Sequence, residues 1–268
     1  MDLIILSVGI LAAIGAGLAL ILYFVSRKFK VYEDPKIDEI AALLPGANCG
    51  GCGFAGCRNF AEFIVKNGGL NGKMCPPGGA ATNDAIAALM GGEAQATVPT
   101  KIVLCCNGTC ENAPSKIKYD SIASCAYANM VTASECGCSY GCLGCGDCVK
   151  VCGFDAIAID VATGMPQISD KCVQCGACIT ACPRNLLTKV PQTEQGIVWV
   201  ACKNKEKGVE AKKNCTVACI GCMKCVKSCQ YEAVTVADSL ATINEKCIAC
   251  KTCAEGCPTK AIHIYPIA

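Results

Sequence analysis

Cys142, Cys145, Cys148 and Cys152 stand in the spacing Cys-x2-Cys-x2-Cys-x3-Cys, which recurs as Cys172, Cys175, Cys178 and Cys182, as Cys219, Cys222, Cys225 and Cys229, and as Cys247, Cys250, Cys253 and Cys257. Three cysteines set two residues apart crowd their sulfurs onto one loop, which is how a bacterial-type [4Fe–4S] cluster is gripped. A disulfide instead joins two separated stretches of backbone in one fixed geometry. In two-cluster sites the fourth cysteine of each run serves the other cluster. The expected sets are therefore Cys142, Cys145 and Cys148 with Cys182, Cys172, Cys175 and Cys178 with Cys152, Cys219, Cys222 and Cys225 with Cys257, and Cys247, Cys250 and Cys253 with Cys229. Each pair of runs becomes a pair of neighbouring one-electron centres. Pro183 and Pro258 follow the last cysteines, where such motifs expect proline, whereas Gly153 and Gln230 depart from it. Those departures leave the ligands in place but alter hydrogen bonding to a cluster, a lever on its potential.

A fifth set lies nearer the N-terminus: Cys49, Cys52 and Cys57 on a glycine-rich loop, with Cys75 ahead of Pro76-Pro77-Gly78-Gly79. A zinc ribbon uses two separated Cys-x2-Cys knuckles rather than three cysteines on one loop. The glycines let the backbone wrap closely and turn N–H groups toward sulfide.

Eight of the 28 cysteines remain: Cys105, Cys106, Cys110, Cys125, Cys136, Cys138, Cys202 and Cys215. Cys138 and Cys215 each stand four residues before a run, and Cys106 and Cys202 each end an apolar, strand-like stretch, Ile102-Val103-Leu104 and Ile197-Val198-Trp199-Val200. The module reads as duplicated with its extra thiols. One or two buried free cysteines are ordinary, but eight free thiols in a redox protein would invite oxidation. The pattern predicts at least five [4Fe–4S] clusters, and six or more once Cys106, Cys125, Cys138, Cys202 and Cys215 are counted as the pool for a further one. Spacing alone does not choose the four.

These loops need elements to hold them. The fold class expected is α+β: a single N-terminal transmembrane helix, a small helical [4Fe–4S] domain, then two ferredoxin-like modules. The expected boundaries are an anchor at 1–26, the helical domain at 27–90, a linker at 91–101, and modules at 102–196 and 197–268. Ile37, Ile40, Ala41 and Leu44 fall on one helical face that Pro45-Gly46 stops. Ala156-Ile157-Ala158-Ile159 and Ala261-Ile262-His263-Ile264 read as short strands. His263, the only histidine, alternates with isoleucines and is read as a strand side chain, so a hydrolase with histidine-bound metal is excluded. Cores this small need metal to fold.

From Leu3 to Val25 the chain carries no charge. As a helix those 23 residues would reach about 34 Å, against a hydrocarbon thickness of about 30 Å. A cleaved signal peptide would want a basic start and a small-residue cleavage site, and here Asp2 precedes a run that ends in Arg27, Lys28 and Lys30. The positive-inside rule then puts everything after residue 26 in the cytoplasm, where disulfides are rare. Gly9, Ala13 and Gly17 form a small-residue stripe, read either as generic helix or as a docking face for a membrane partner. A net charge of +2 gives no argument for nucleic acid. Lys203, Lys205, Lys207, Lys212 and Lys213, broken by Glu206 and Glu210, read as a solvated face ahead of a docking patch for an acidic ferredoxin.

The order of parts, with Leu44-Pro45-Gly46-Ala47-Asn48-Cys49-Gly50-Gly51-Cys52-Gly53, Cys57, Cys75-Pro76 and the doubled ferredoxin runs, resembles the RnfB family of the Rnf ion-translocating ferredoxin:NAD oxidoreductase, in its long, cysteine-rich form. The resemblance implies an electron-transfer subunit at the cell (inner) membrane. It would accept electrons from reduced ferredoxin and relay them toward other Rnf subunits. With no G-x-G-x-x-G after a strand and no Walker A loop, flavin and nucleotide are expected on partners. The rival readings are an anchored polyferredoxin serving another oxidoreductase and a redox sensor. The Cys49–Cys75 domain argues against the first, and the number of clusters against the second.

Overall fold

A computed structural model of the chain describes residues 2–28, 34–92, 98–132 and 134–265. Lys30 of the basic group and residues 93–97 of the expected linker lie outside the described residues. The uncharged N-terminal run forms one helix, α1 (Asp2–Lys28), closed by Arg27 and Lys28 in its last turn, where the helix dipole favours cations. Over Leu6–Lys28, 23 residues with a mean hydropathy of 2.5, it is long and apolar enough to cross a membrane, and none of that stretch is buried.

Helix α2 (Pro35–Leu43) starts where Asp34 accepts the Lys36 amide at 2.9 Å and Pro35 presets the first turn. It ends at Leu44, ahead of Pro45, as the sequence requires. With α3 (Cys57–Asn67) and α4 (Gly79–Leu89) it encloses Ile40, Leu44, Phe60, Ala61, Ile64, Ile86 and the Cys75 thiol.

Downstream come β1 (Thr100–Leu104), α5 (Cys125–Val131), α6 (Asp147–Lys150), β2 (Ile157–Asp160), β3 (Met165–Ile168), α7 (Ala177–Ala181) and β4 (Leu187–Pro191). They are followed by β5 (Ile197–Val200), α8 (Gly208–Asn214), α9 (Lys224–Ser228), β6 (Val234–Ala237), β7 (Leu240–Ile243), α10 (Thr252–Glu255) and β8 (Ile262–Tyr265). Every sheet is a two-stranded antiparallel ribbon, β1 with β4, β2 with β3, β5 with β8 and β6 with β7. The apolar runs predicted as strands form β1, β2, β5 and β8. Strand β1 begins inside the segment read as linker, because Thr100 and Lys101 pair with Pro191 and Val190.

The two halves repeat one plan: Leu104 faces Leu187 in the first, and Val200 faces Ile262 in the second. His263 sits opposite Trp199, with ring centroids 5.6 Å apart, and burial pushes its pKa down. Both cores are small and are made largely of cysteine, valine, isoleucine and alanine. The halves meet along a seam of Val103, Cys105 and Ile197, with Trp199 Nε1 donating to the Leu104 carbonyl at 3.0 Å and the Thr216 amide to the Asn112 carbonyl at 2.9 Å.

Candidate iron–sulfur sites

The backbone of the four cysteine runs has one shape. The residue before the second cysteine is left-handed in every run: Gly144 (φ 71°), Gln174 (φ 60°), Gly221 (φ 64°) and Ala249 (φ 60°). So is the residue after it: Gly146 (φ 78°), Gly176 (φ 87°), Met223 (φ 62°) and Lys251 (φ 69°). Glycine adopts this conformation freely, whereas glutamine, alanine, methionine and lysine do so at a cost of about 1 kcal/mol or more each. A shape kept at equivalent places in all four runs, even where the residue makes it costly, belongs to a site. Alternating right- and left-handed residues aim successive N–H groups into one concavity that suits an anion.

The thiols gather as the crossed scheme expects. Cys219, Cys222 and Cys225 line one hollow with Cys257 from the following run. Cys142 and Cys148 line another with Cys182, and Cys145 stands beside Cys142. Cys152 lies next to Cys172 and Cys178, with Cys175 completing that group, and Cys229 lies next to Cys247 and Cys253, with Cys250 beside them. Amides donate to the sulfurs at 3.4 Å, from Leu186 to Cys182, from Ala233 to Cys229 and from Ala249 to Cys247.

Cys49, Cys52, Cys57 and Cys75 surround a hollow lined also by Leu44 and Phe60. Two asparagines pin it. Asn48 Oδ1 accepts the Cys57 amide at 2.9 Å, and the buried Asn83 accepts the Cys75 amide at 2.9 Å while donating back to the Cys75 carbonyl.

Burial pushes the thiols of Cys142, Cys148, Cys178 and Cys253 up to about 11. Ionising such a thiol beside its neighbouring cysteines requires a strongly cationic centre among them, as iron provides. Among the described residues no three cysteine, histidine or carboxylate side chains converge as one metal ion needs, with zinc–sulfur bonds of about 2.3 Å. Thiols spread around a hollow, with N–H groups turned inward, fit a four-iron cluster.

Of the remaining pool, Cys106, Cys138, Cys202 and Cys215 line one hollow between the two halves. Cys125 does not join them. It lies beside Cys142, Cys145 and Cys148, where Asp147 holds the start of α5 by accepting from Ser124 Oγ at 2.9 Å and the Ala126 amide at 3.2 Å. Cys136, outside the expected pool, lines the inter-half hollow as well. Its position relative to Cys138 carried no spacing signal. Of the lysine group, Lys205 meets Asp238 at 3.4 Å and Lys213 meets Glu210 at 2.8 Å with all four side chains exposed, whereas the half-buried Lys203 lines the inter-half hollow.

Comparison with known proteins agrees with this geometry. An Fe-S cluster family matches residues 44–77, a 4Fe-4S dicluster domain matches 141–186, and 4Fe-4S binding domains match 212–232 and 241–263. The B subunit of an ion-translocating oxidoreductase complex from Methanosarcina acetivorans is 40% identical, covering 96% of this chain and 97% of the relative. The chain belongs to the RnfB family. The B subunit of the Na(+)-translocating ferredoxin:NAD(+) oxidoreductase complex of Acetobacterium woodii is 42% identical over 91% of this chain and 72% of its own length. The corresponding subunit of the proton-translocating complex of Clostridium ljungdahlii is 37% identical over 91% and 86%. As an RnfB protein the chain is an electron-transfer subunit of a multi-subunit ion-translocating oxidoreductase, carries multiple [4Fe–4S] clusters and is associated with a membrane.

Proposed function

We propose that this RnfB chain takes electrons from a reduced ferredoxin on the cytoplasmic side of the membrane and delivers them to partner subunits of its complex. The twenty cysteines of the five sets are its cluster ligands. The observation that carries this reading is the shared left-handed pair in all four runs, with the fourth cysteine crossing between them. Clusters bound there supply reversible one-electron oxidation and reduction. The chain's own part is to hold each cluster in a ring of mostly half-buried thiols and to turn amides toward the sulfurs.

Helix α1 serves as a single-pass anchor. Between Leu6 and Ser26 it carries no charged residue, so it offers no ion path, and the coupled ion crosses in partners. Moving one ion against about 150 mV costs about 3.5 kcal/mol, which a two-electron drop of about 75 mV balances. Flavin and NAD chemistry likewise belong to partners in this reading.

The test is anaerobic purification of the full chain in detergent, followed by iron and sulfide analysis, redox titration and rapid mixing with reduced ferredoxin. About twenty or more irons per chain, oxidation of the ferredoxin, and co-purification with the other complex subunits are expected. Absence of cubane spectra, or co-purification with a hydrogenase or disulfide reductase instead, would overturn it.

A further inference from the structure

We propose that a further [4Fe–4S] cluster sits between the two ferredoxin-like halves, held by Cys106 and Cys138 from the first and Cys202 and Cys215 from the second. This rests on the reading of the five sets above and goes beyond it in position and ligands. The matched family segments leave Cys106, Cys138 and Cys202 uncovered.

The four thiols line one hollow. They come in two equivalent pairs. Cys106 and Cys202 each stand two residues past the end of their half's first strand, β1 and β5, and Cys138 and Cys215 each stand four residues before a run. The hydrogen bonds repeat the equivalence. The Cys142 amide donates to Cys106 Sγ at 3.4 Å, and the Cys219 amide donates to Cys202 Sγ at 3.4 Å. A duplicated module that brings the same two thiols from each copy to its interface builds a four-ligand site with approximate two-fold symmetry. The buried Asn204 adds a donor, its Nδ2 lying 3.4 Å from Cys138 Sγ. Amide donors to sulfur are what an iron-bound thiolate accepts.

The other spare thiols are accounted for differently. Cys105 is buried in the apolar seam with Val103 and Ile197, and its counterpart in the second half is Ala201. Cys110 is exposed. Cys136 shares the hollow, but its sulfur lies 3.1 Å from Ser134 Oγ, and Lys213 occupies the equivalent place in the second half. The bond from Cys142 on one side and from Cys219 on the other means that the site touches one cysteine set of each half. No other cysteine set among the described residues spans that seam. Transfer of a preformed [4Fe–4S] cluster from a thiol-ligated carrier breaks four carrier sulfur–iron bonds and forms four to these cysteines, whose protons pass to the departing carrier thiolates.

The experiment uses the full chain, loaded anaerobically in detergent. The double variant Cys106→Ser, Cys202→Ser should fall from about twenty-four irons to about twenty, with no zinc replacing them, while Cys136→Ala keeps its full iron. In the unaltered protein, alkylation under native anaerobic conditions should label Cys110 and leave Cys106, Cys138, Cys202 and Cys215 unlabelled until iron is chelated. If the double variant misfolds and loses far more iron, that labelling map of the unaltered protein decides. Twenty irons in the unaltered chain with these four thiols free, a zinc ion or disulfides in their place, or loss of four irons from Cys136→Ala would each overturn the proposal. The five-set reading would stand in every one of those cases. It fails instead if the unaltered chain lacks cubane iron altogether.

Discussion

Gly51 packs against Cys175 so closely that a β-carbon at residue 51 would lie 2.9 Å from the Cys175 carbonyl oxygen and 3.0 Å from its α-carbon. The first helical domain thus abuts the first ferredoxin-like half through two cysteine loops, Cys49–Cys57 and Cys172–Cys178. Gly51 does not need a left-handed backbone, so a side chain there would disturb the contact and not its own loop. Gly51→Val should keep the iron content but weaken the docking by about 1–3 kcal/mol, the usual cost of overpacking. Spin–spin broadening between reduced centres in EPR is the measurement. Spectra identical to the unaltered protein would show that the two loops are not coupled through this contact.

Crossing of the fourth cysteines makes Cys182→Ala informative. The substitution should damage the cluster whose other ligands are Cys142, Cys145 and Cys148, although Cys182 follows Cys178 in sequence. Iron loss of about four per chain, with the signals of the Cys172, Cys175 and Cys178 centre retained, is the expected result. The reverse pattern would sink the assignment.

Asn83 has a different task, since it binds no cluster and bridges the Cys75 amide and carbonyl to helix α4. Asn83→Leu leaves the buried Cys75 amide unpaired, which costs about 1–3 kcal/mol. The expected outcome is faster loss of one cluster on mild chelation, with the remaining iron holding as in the unaltered chain. Uniform loss from all sites would contradict a local role.

The spacing of cysteines made the gathering of thiols legible in advance, because ligand geometry constrains sequence separation tightly. The strands β1, β2, β5 and β8 and the stop of α2 at Leu44 were legible for similar reasons, from apolar runs and from Pro45. Other features left no mark. Gln174, Met223, Ala249 and Lys251 adopt left-handed backbones that their residue types do not ask for, so only their equivalence to Gly144, Gly146, Gly176 and Gly221 betrays them. Cys125 and Cys106 look alike as spare thiols in sequence, yet α5 carries the first to the Cys142 hollow and β1 delivers the second to the seam. Long-range packing decides that, and it has no local signature.

Removing α1 should not disturb cluster assembly, since every cysteine lies after Pro45 and α1 is unburied over Leu6–Lys28. A chain starting near Glu33 is expected to be soluble and brown, and to lose co-purification with the membrane complex. A colourless aggregate under anaerobic expression would show that α1 and the cluster domains do not fold separately.

Arg184 is a cation set among thiols. Its Nη1 donates to the carbonyls of Cys138 at 3.1 Å and Gly141 at 2.7 Å, its Nη2 to Thr132 at 3.2 Å, and its Nε to Asn129 Oδ1 at 2.9 Å. Burial pushes its pKa down while Cys138, Cys136, Cys142 and Cys106 pull it back up, and a guanidinium stays charged under any such shift. The second half has the neutral Thr259 in the equivalent position after Pro258. A fixed positive charge favours the more negative, reduced form of a nearby cluster and so raises its potential. A unit charge acting over about 8 Å at an effective dielectric of about 20 is in general worth about 2 kcal/mol, or about 90 mV for a one-electron couple. Arg184→Gln should therefore lower the potential of a centre in the first half by tens of millivolts, and Arg184→Lys, which keeps the charge but loses the planar fork, should lower it less. Redox titration of the full chain by EPR measures both. Equal potentials in the unaltered protein and the glutamine variant, with iron content unchanged, would mean that Arg184 only ties Thr132, Cys138 and Gly141 together and does not tune a cluster.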